Sequence, residues 1–362
     1  MSPAGPPHGF QQDPGGVLYE CLALGCWAPP PRALEPEPRP RPATPWPGRD
    51  GAGPCGREEK FCPPEGAGAP RSRQDGAGGV EARPAARPRL GRVEAVDGAR
   101  RFANHRVLVE PAAAAGVAVM KFKNPPVNSL SLELLTEFVI SLEKLENDKS
   151  FRGVILTSDH PGIFSAGLDL TEMCGRNPVH YAEYWKAVQE LWLRLYLSNL
   201  VLVAAINGAS PAGGCLMSLS CDYRIIADNP KYTIGLNETL LGIIAPFWFK
   251  DTLVNTVGHR TAERALQLGM LFPPAEALQV GMVDQVVPED QVQSKALSVM
   301  AQWMAIPEHA RQLTKSMMRK ATADSLVKQR EADIQNFVSF ISRDSIQKSL
   351  HKYLEKLKQK KG

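Results

Sequence analysis

RGVILTSD from Arg152 and VLVAAING from Val201 are apolar at consecutive positions rather than at alternate ones. A strand with that pattern is covered on both faces, which ties it to a sheet packed between other layers. Each run is followed by a Gly-bearing loop and a segment of helical length, and DYRIIAD from Asp222 supplies a further strand. Strand, loop and helix repeated in this order predict an α/β fold built from right-handed crossover units. Upstream, RVLVEP and GVAVMKF are short apolar runs separated by AAAA and Gly116, and they predict a β-hairpin. In KNPPVNSLS, Pro125 and Pro126 fix φ and remove donors, so helix is expected only from Ser131, which caps LELLTEFVISLEKLEND. A long helix is expected over 178–197, with Tyr184, Trp185, Leu191 and Leu195 turned inward. Beyond Pro246 the pattern predicts helices almost throughout: TAERALQLGM, PAEALQVGM, EDQVQSKALSVMAQWMA, PEHARQLTKSMMRKATA and a last stretch to Lys361.

Composition divides the chain. Of its 31 prolines, 19 fall in the first 100 residues, where no apolar period is sustained. Such a segment buries too little apolar surface to offset its ordering entropy. Residues 1–100 are therefore expected to be a disordered extension, 101–300 the α/β core and 301–362 a C-terminal helical region. The net charge is +4 with acidic and basic residues interspersed, so the broad cationic face that duplex DNA requires is not expected, nor is nucleic acid as a partner. The lysines of the tail LHKYLEKLKQKKG could meet a phosphate or simply end a solvated helix. Seven cysteines, Cys21, Cys26, Cys55, Cys62, Cys174, Cys215 and Cys221, are odd in number and read as free thiols. No zinc spacing or HxxxH pair is present, so no metal is expected. No run of about 20 apolar residues predicts a membrane span. The Arg- and Ala-rich stretch around residues 82–106 has the composition of a mitochondrial transit segment, which Asp13, Glu20, Glu35 and Glu37 nearer the start do not.

Chemistry concentrates at three places. IFSAGLDL and NGASPAGGCL each follow a buried strand and bear glycines where a helix or turn begins, so backbone amides there can face an anion. Gly167 would let the chain bend and free the Ala166 amide; Gly213 and Gly214 would do the same at a helix start. Two converging amides would make an oxyanion hole, although a Gly pair before a helix also serves plain packing. In IGLNETLLGIIAPFWF, Glu238 stands among apolar residues. It either points outward at a helix start, or faces a cleft where desolvation raises its pKa and fits it for proton transfer. Cys215 at a helix start and Ser210 in GASPAGG are candidate nucleophiles, but no partner His accompanies the thiol and the GxSxG pattern is absent.

FSAGLDL, NGASPAGGCLMSLSCDYRIIAD and IGLNETLLGI, in this order and spacing, resemble the crotonase (enoyl-CoA hydratase/isomerase) superfamily from about Arg106 to the C-terminus. The resemblance implies a crotonase-like (ββα) superhelix with a C-terminal helical layer that supports a homotrimer. It implies an acyl-CoA thioester as substrate, bound by Ala166, Gly167, Leu168, Asp169, Leu170 and Gly213, with the Ala166 and Gly213 amides on the thioester oxygen. Glu238 falls at the second of the family's two catalytic glutamates, whereas the first is replaced by Leu216. Hydration calls for two acid/base groups; shifting a double bond from C3 to C2 needs one. The resemblance thus implies a 3-enoyl-CoA to trans-2-enoyl-CoA isomerase of fatty-acid β-oxidation, working in the mitochondrial matrix without a resident cofactor. A hydratase using another carboxylate, and a non-catalytic CoA- or RNA-binding protein of this fold, stand as alternatives.

Overall fold

The computed structural model describes residues 106–359. The expected disordered extension over 1–100, its targeting segment and Cys21, Cys26, Cys55 and Cys62 lie outside the described residues. β1 (Val107–Pro111) and β2 (Val117–Phe122) pair antiparallel with Val107 opposite Phe122, as the hairpin reading expects. α1 (Leu132–Asn147) starts at Ser131, whose Oγ accepts from the Leu134 amide at 3.3 Å and satisfies one of the donors a helix start leaves open. β3 (Gly153–Ser158), the short β4 (Gly162–Ile163), α2 (Leu170–Met173) and α3 (Pro178–Leu197) follow. Next come β5 (Val201–Ile206), β6 (Gly208–Pro211), α4 (Gly213–Ser220), β7 (Tyr223–Ala227) and β8 (Ile234–Gly235). A 3₁₀ turn over Glu238–Leu241 leads into α5 (Phe247–Val257), α6 (His259–Leu268) and α7 (Pro274–Gln279). The chain then runs through β9 (Gln285–Val287), α8 (Val292–Met304), α9 (Glu308–Ile341) and α10 (Asp344–Gln359).

The main sheet has the order β1-β2-β3-β5-β7-β9, parallel from β2 onward, and β4-β6-β8 form a second small parallel sheet. Every residue of β3 and β5 is buried. The reason is visible in the period of two along β5. Leu202, Ala204 and Ile206 face the core that includes α1 and α3, whereas Val201, Val203 and Ala205 face Val292, Ala296, Val299 and Met300 of α8. Both faces are covered, and each Val, Leu or Ile so buried contributes about 1.5–3 kcal/mol.

Three features differ from the sequence reading. The segment beyond Pro246 is not wholly helical, because Gln285–Val287 adds as an edge strand, parallel to β7. The boundary drawn at 301 falls inside α8, whose buried residues cover the sheet, so the α/β core keeps this helix. From Glu308, just after the capping Pro307, EHARQLTKSMMRKATA continues to Ile341 as one helix of 34 residues, unbroken across the buried Ala323. At about 1.5 Å per residue this helix is roughly 50 Å long. Its first half is pinned by Asp222, which receives Lys315 Nζ at 2.8 Å and Arg319 at 3.2 Å. Its second half carries Asp333, Phe337 and Phe340 to the cavity described next. Among the described residues no helix is long and apolar enough to cross a membrane.

Candidate active site

A cavity of about 850 Å³ lies between the loop after β4, the 3₁₀ turn, α9 and α10. Its loop wall is built by a network centred on Asn128, fully buried with φ 50°. The Asn128 amide group donates to Ser158 Oγ at 2.7 Å and to the Phe164 carbonyl at 3.1 Å. Its own carbonyl accepts from Ser165 Oγ at 2.7 Å, and Ser165 Oγ accepts in turn from the Gly167 amide at 3.2 Å. These bonds fix the chain through Gly167, which takes φ +87°, a conformation open to glycine at little cost.

The structure corrects one expected donor. The Ala166 amide is not free: it donates to the Val127 carbonyl at 2.9 Å. Two residues further on, the Leu168 amide has no hydrogen-bond partner among the described residues. The Leu130 amide donates to the Gly167 carbonyl at 2.8 Å. Because a trans peptide sets its C=O and N–H on opposite sides, that bond turns the Leu168 N–H the other way. The Gly213 amide, at the first position of α4, is also without a partner, as the first turn of a helix requires unless something caps it. A Cβ built on Gly167 would stand 2.8 Å from Gly213 N, and one on Gly213 would stand 3.2 Å from Leu168 N. The Leu168 and Gly213 amides therefore border one small space, kept open by the absence of two side chains. Ala212 between them and β6 holds φ 49°, ψ −121°, a strained conformation of the kind that gathers at working sites. Ala166, Leu168, Asp169 and Leu170 line the cavity as expected, whereas Gly167 and Gly213 are buried and are not part of its lining.

Glu238 begins the 3₁₀ turn, which Gly242 closes in the left-handed conformation. Its side chain lines the cavity yet is 7% exposed, and among the described residues no other residue offers either carboxylate oxygen a hydrogen bond. Burial raises its pKa from 4.5 to about 7, only partly offset by its own backbone N–H. Every other carboxylate on the cavity wall is committed. Asp169 accepts from Ser129 and Thr171, and Glu172 accepts from the Leu132 amide and meets His180 at 2.6 Å. Asp333 takes Trp185, Gln189 and Trp248 on one oxygen, and Glu133 pairs with Arg106. One unpartnered carboxylate whose pKa is raised by burial, lining the same cavity as Leu168 and Ala212, can move a proton next to a carbonyl whose oxygen the two open amides hold.

The remaining candidates resolve plainly. Leu216 is 2% exposed in the main core and does not line the cavity, so it does not face Glu238 across it. The Cys215 thiol is fully buried and its pKa is pushed well above 9, by burial first and by the charge of Glu238 second, which makes it a poor nucleophile. Ser210 is buried and shares a hydrogen bond with Ser218 at 3.3 Å. Sequence reasoning missed the Leu168 amide and the aromatic wall contributed by Phe337, Phe340 and Tyr353. The first carried a signal in the Gly just before it; the second depends on how α9 and α10 fold back.

A doubly covered parallel sheet, two open amides at Gly-bearing loops and a buried carboxylate define an enzyme that handles carbonyl α-protons. The family profile of enoyl-CoA hydratase/isomerase matches residues 112–361, and the chain belongs to that family. It is 84% identical over 274 residues to mitochondrial enoyl-CoA delta isomerase 1 of Rattus norvegicus, covering 76% of this chain and 95% of the relative. Against the Homo sapiens protein of the same name it is 81% identical over 277 residues, 75% and 92% of the two chains. The crystal structure of human mitochondrial delta3-delta2-enoyl-CoA isomerase superposes with a TM-score of 0.70 at 84% identity, covering 71% of this chain and all of that one. A more distant neighbour is enoyl-CoA hydratase from Bacillus halodurans, at 25% identity and TM-score 0.61, covering 68% and 98%. Like the relatives above 80% identity, this chain is mitochondrial.

Proposed function

We propose that this chain is an enoyl-CoA delta isomerase, converting 3-enoyl-CoA to trans-2-enoyl-CoA in fatty-acid metabolism, with Glu238 as the single proton carrier. The thioester oxygen accepts from the Leu168 and Gly213 amides. Glu238 removes a proton from C2; the electrons of that C–H bond spread over C2 to C4 and the thioester oxygen as a dienolate. The same carboxyl then delivers the proton to C4, leaving the double bond between C2 and C3. Nothing is oxidised or reduced overall, so the sequence of steps calls for no resident cofactor. Each amide that meets the developing oxyanion contributes roughly 3 kcal/mol to lowering the barrier. A group that must both take and return a proton works best with a pKa near ambient pH, and burial sets Glu238 at about 7.

The observation that carries this reading is the lone uncommitted carboxylate. Water addition to trans-2-enoyl-CoA would ask for a second acid/base group, and the other cavity carboxylates are held by two or more donors or by a cation. Replacing Glu238 by Gln keeps the volume and removes the base. The expected result is a kcat for 3-enoyl-CoA isomerisation lower by roughly 10²–10⁴-fold with KM little changed. A variant that folds and keeps the wild-type rate refutes the role of Glu238, and faster hydration than isomerisation by the wild-type chain refutes the isomerase. Assembly belongs to the same proposal: Leu313, Met317 and Met318 on α9 are 52%, 79% and 76% exposed, an apolar patch that supports a homotrimer.

A further inference from the structure

Behind the Leu168 amide lies a buried phenol that the proton-transfer steps do not use. Tyr184, on α3, is fully buried, and its hydroxyl donates to the Leu130 carbonyl at 2.7 Å while accepting from the Asp169 amide at 3.0 Å. Leu130 and Leu168 form an isolated parallel bridge whose direct rung is the 2.8 Å bond from the Leu130 amide to the Gly167 carbonyl. The hydroxyl ties the same two segments together one peptide further along, between the Asp169 N–H and the Leu130 C=O. The Gly167–Leu168 and Leu168–Asp169 peptides are thus each held from the side away from the cavity. Leu168, the residue they share, cannot rotate its N–H without breaking one of these bonds. Burial, helped by the Asp169 charge, raises the Tyr184 pKa well above 10, so the hydroxyl keeps the proton it donates.

Resting on the oxyanion assignment above, we propose that Tyr184 is a positioning residue for isomerisation: its hydroxyl spaces the Leu130 and Asp169 backbones and so aims the Leu168 amide at the thioester oxygen. Without the hydroxyl, two buried backbone groups either lose their partner or draw together, and the Leu168 N–H shifts with them. A donor misplaced by a fraction of an ångström affects the transition state more than the bound ester, since the charge on oxygen develops only there.

The test compares Tyr184→Phe with Tyr181→Phe. Tyr181 is three residues earlier on the same helix, 2% exposed, and its hydroxyl accepts from the Arg176 amide at 3.0 Å, away from the bridge. For Tyr184→Phe the expected kcat is roughly 10- to 100-fold lower with KM within about threefold. Binding of a 3-ketoacyl-CoA as its enolate should weaken by a similar factor, while a saturated acyl-CoA binds as before. Tyr181→Phe, with a comparable loss of thermal stability, should keep kcat within about twofold. Equal kcat losses in the two variants, or unchanged enolate affinity in Tyr184→Phe, overturn the proposal. Should the Phe variant fail to fold, 4-aminophenylalanine at 184 keeps a donor for the Leu130 carbonyl but accepts poorly from the Asp169 amide; a kcat loss at constant KM supports positioning and an unchanged kcat overturns it. Glu238→Gln measured alongside separates the two claims. An inactive Glu238→Gln with a fully active Tyr184→Phe sinks only the positioning role, whereas an active Glu238→Gln sinks the proton-transfer reading beneath it.

Discussion

Placing an unpartnered carboxylate in an apolar wall has a cost that can be measured apart from catalysis. Glu238 titrates at about 7 in the folded chain and at its ordinary 4.5 once burial is lost. Below pH 4.5 it is protonated in both states and has no effect. Between 4.5 and 7 the unfolded chain gives up the proton and the folded chain holds it, so stability falls as pH rises. Above 7 both are ionised and the loss is complete, at about 3 kcal/mol given roughly 1.4 kcal/mol per pH unit. Glu238→Gln removes this titration. Relative to wild type, the variant should therefore gain about 3 kcal/mol on moving from pH 4.5 to pH 8, whatever constant offset its amide introduces. Urea unfolding of both proteins at matched concentration across that range reads the difference directly. A gap between the two that does not change with pH would show that Glu238 is solvated or paired in solution, and the argument for its proton-carrying role would fall with it.

Two further outcomes follow from the same geometry. Gly167→Ala places a methyl 2.8 Å from Gly213 N and 2.9 Å from Ala212 Cβ, at a backbone φ of +87°; isomerase kcat should drop at least 100-fold, and a variant with kcat near wild type contradicts the assigned hole. Asp222→Ala leaves the mostly buried Lys315 and the partly buried Arg319 without their shared carboxylate, so unfolding free energy should fall by about 3–5 kcal/mol at neutral pH. Burial raises the Asp222 pKa, but the two cations outweigh it and leave it below 3.8. Its stabilisation is therefore present above the ordinary carboxylate range and lost as pH falls through the lowered value, and a penalty for Asp222→Ala that persists unchanged at acid pH contradicts it.

The parts of the molecule set by local pattern were legible in the sequence. Consecutive apolar residues in β3 and β5 announced strands covered on both faces, and Ser131 and the prolines before it fixed where α1 begins. Glu238 was legible as a carboxylate among apolar neighbours, although only the fold decides that it turns into the cavity. Which amide is open was not legible. Ala166 and Leu168 flank the same glycine, and the choice depends on Val127, 39 residues earlier, taking the Ala166 N–H. β9 was hidden because three half-buried residues after a helix carry no period of their own. The aromatic wall from α9 and α10 was hidden for a related reason, since helical periodicity says which face is apolar and not what that face covers.

Proton transfer by one carboxylate is tested most directly by the fate of a label. With 3-enoyl-CoA deuterated at C2 in a single turnover in ordinary water, the product should carry deuterium at C4 above background, because Glu238 is shielded enough to return part of what it took. Glu238→Gln should give no product on the same timescale. Product from the wild-type chain with no deuterium at C4, together with turnover by Glu238→Gln, would mean that the proton travels by another route.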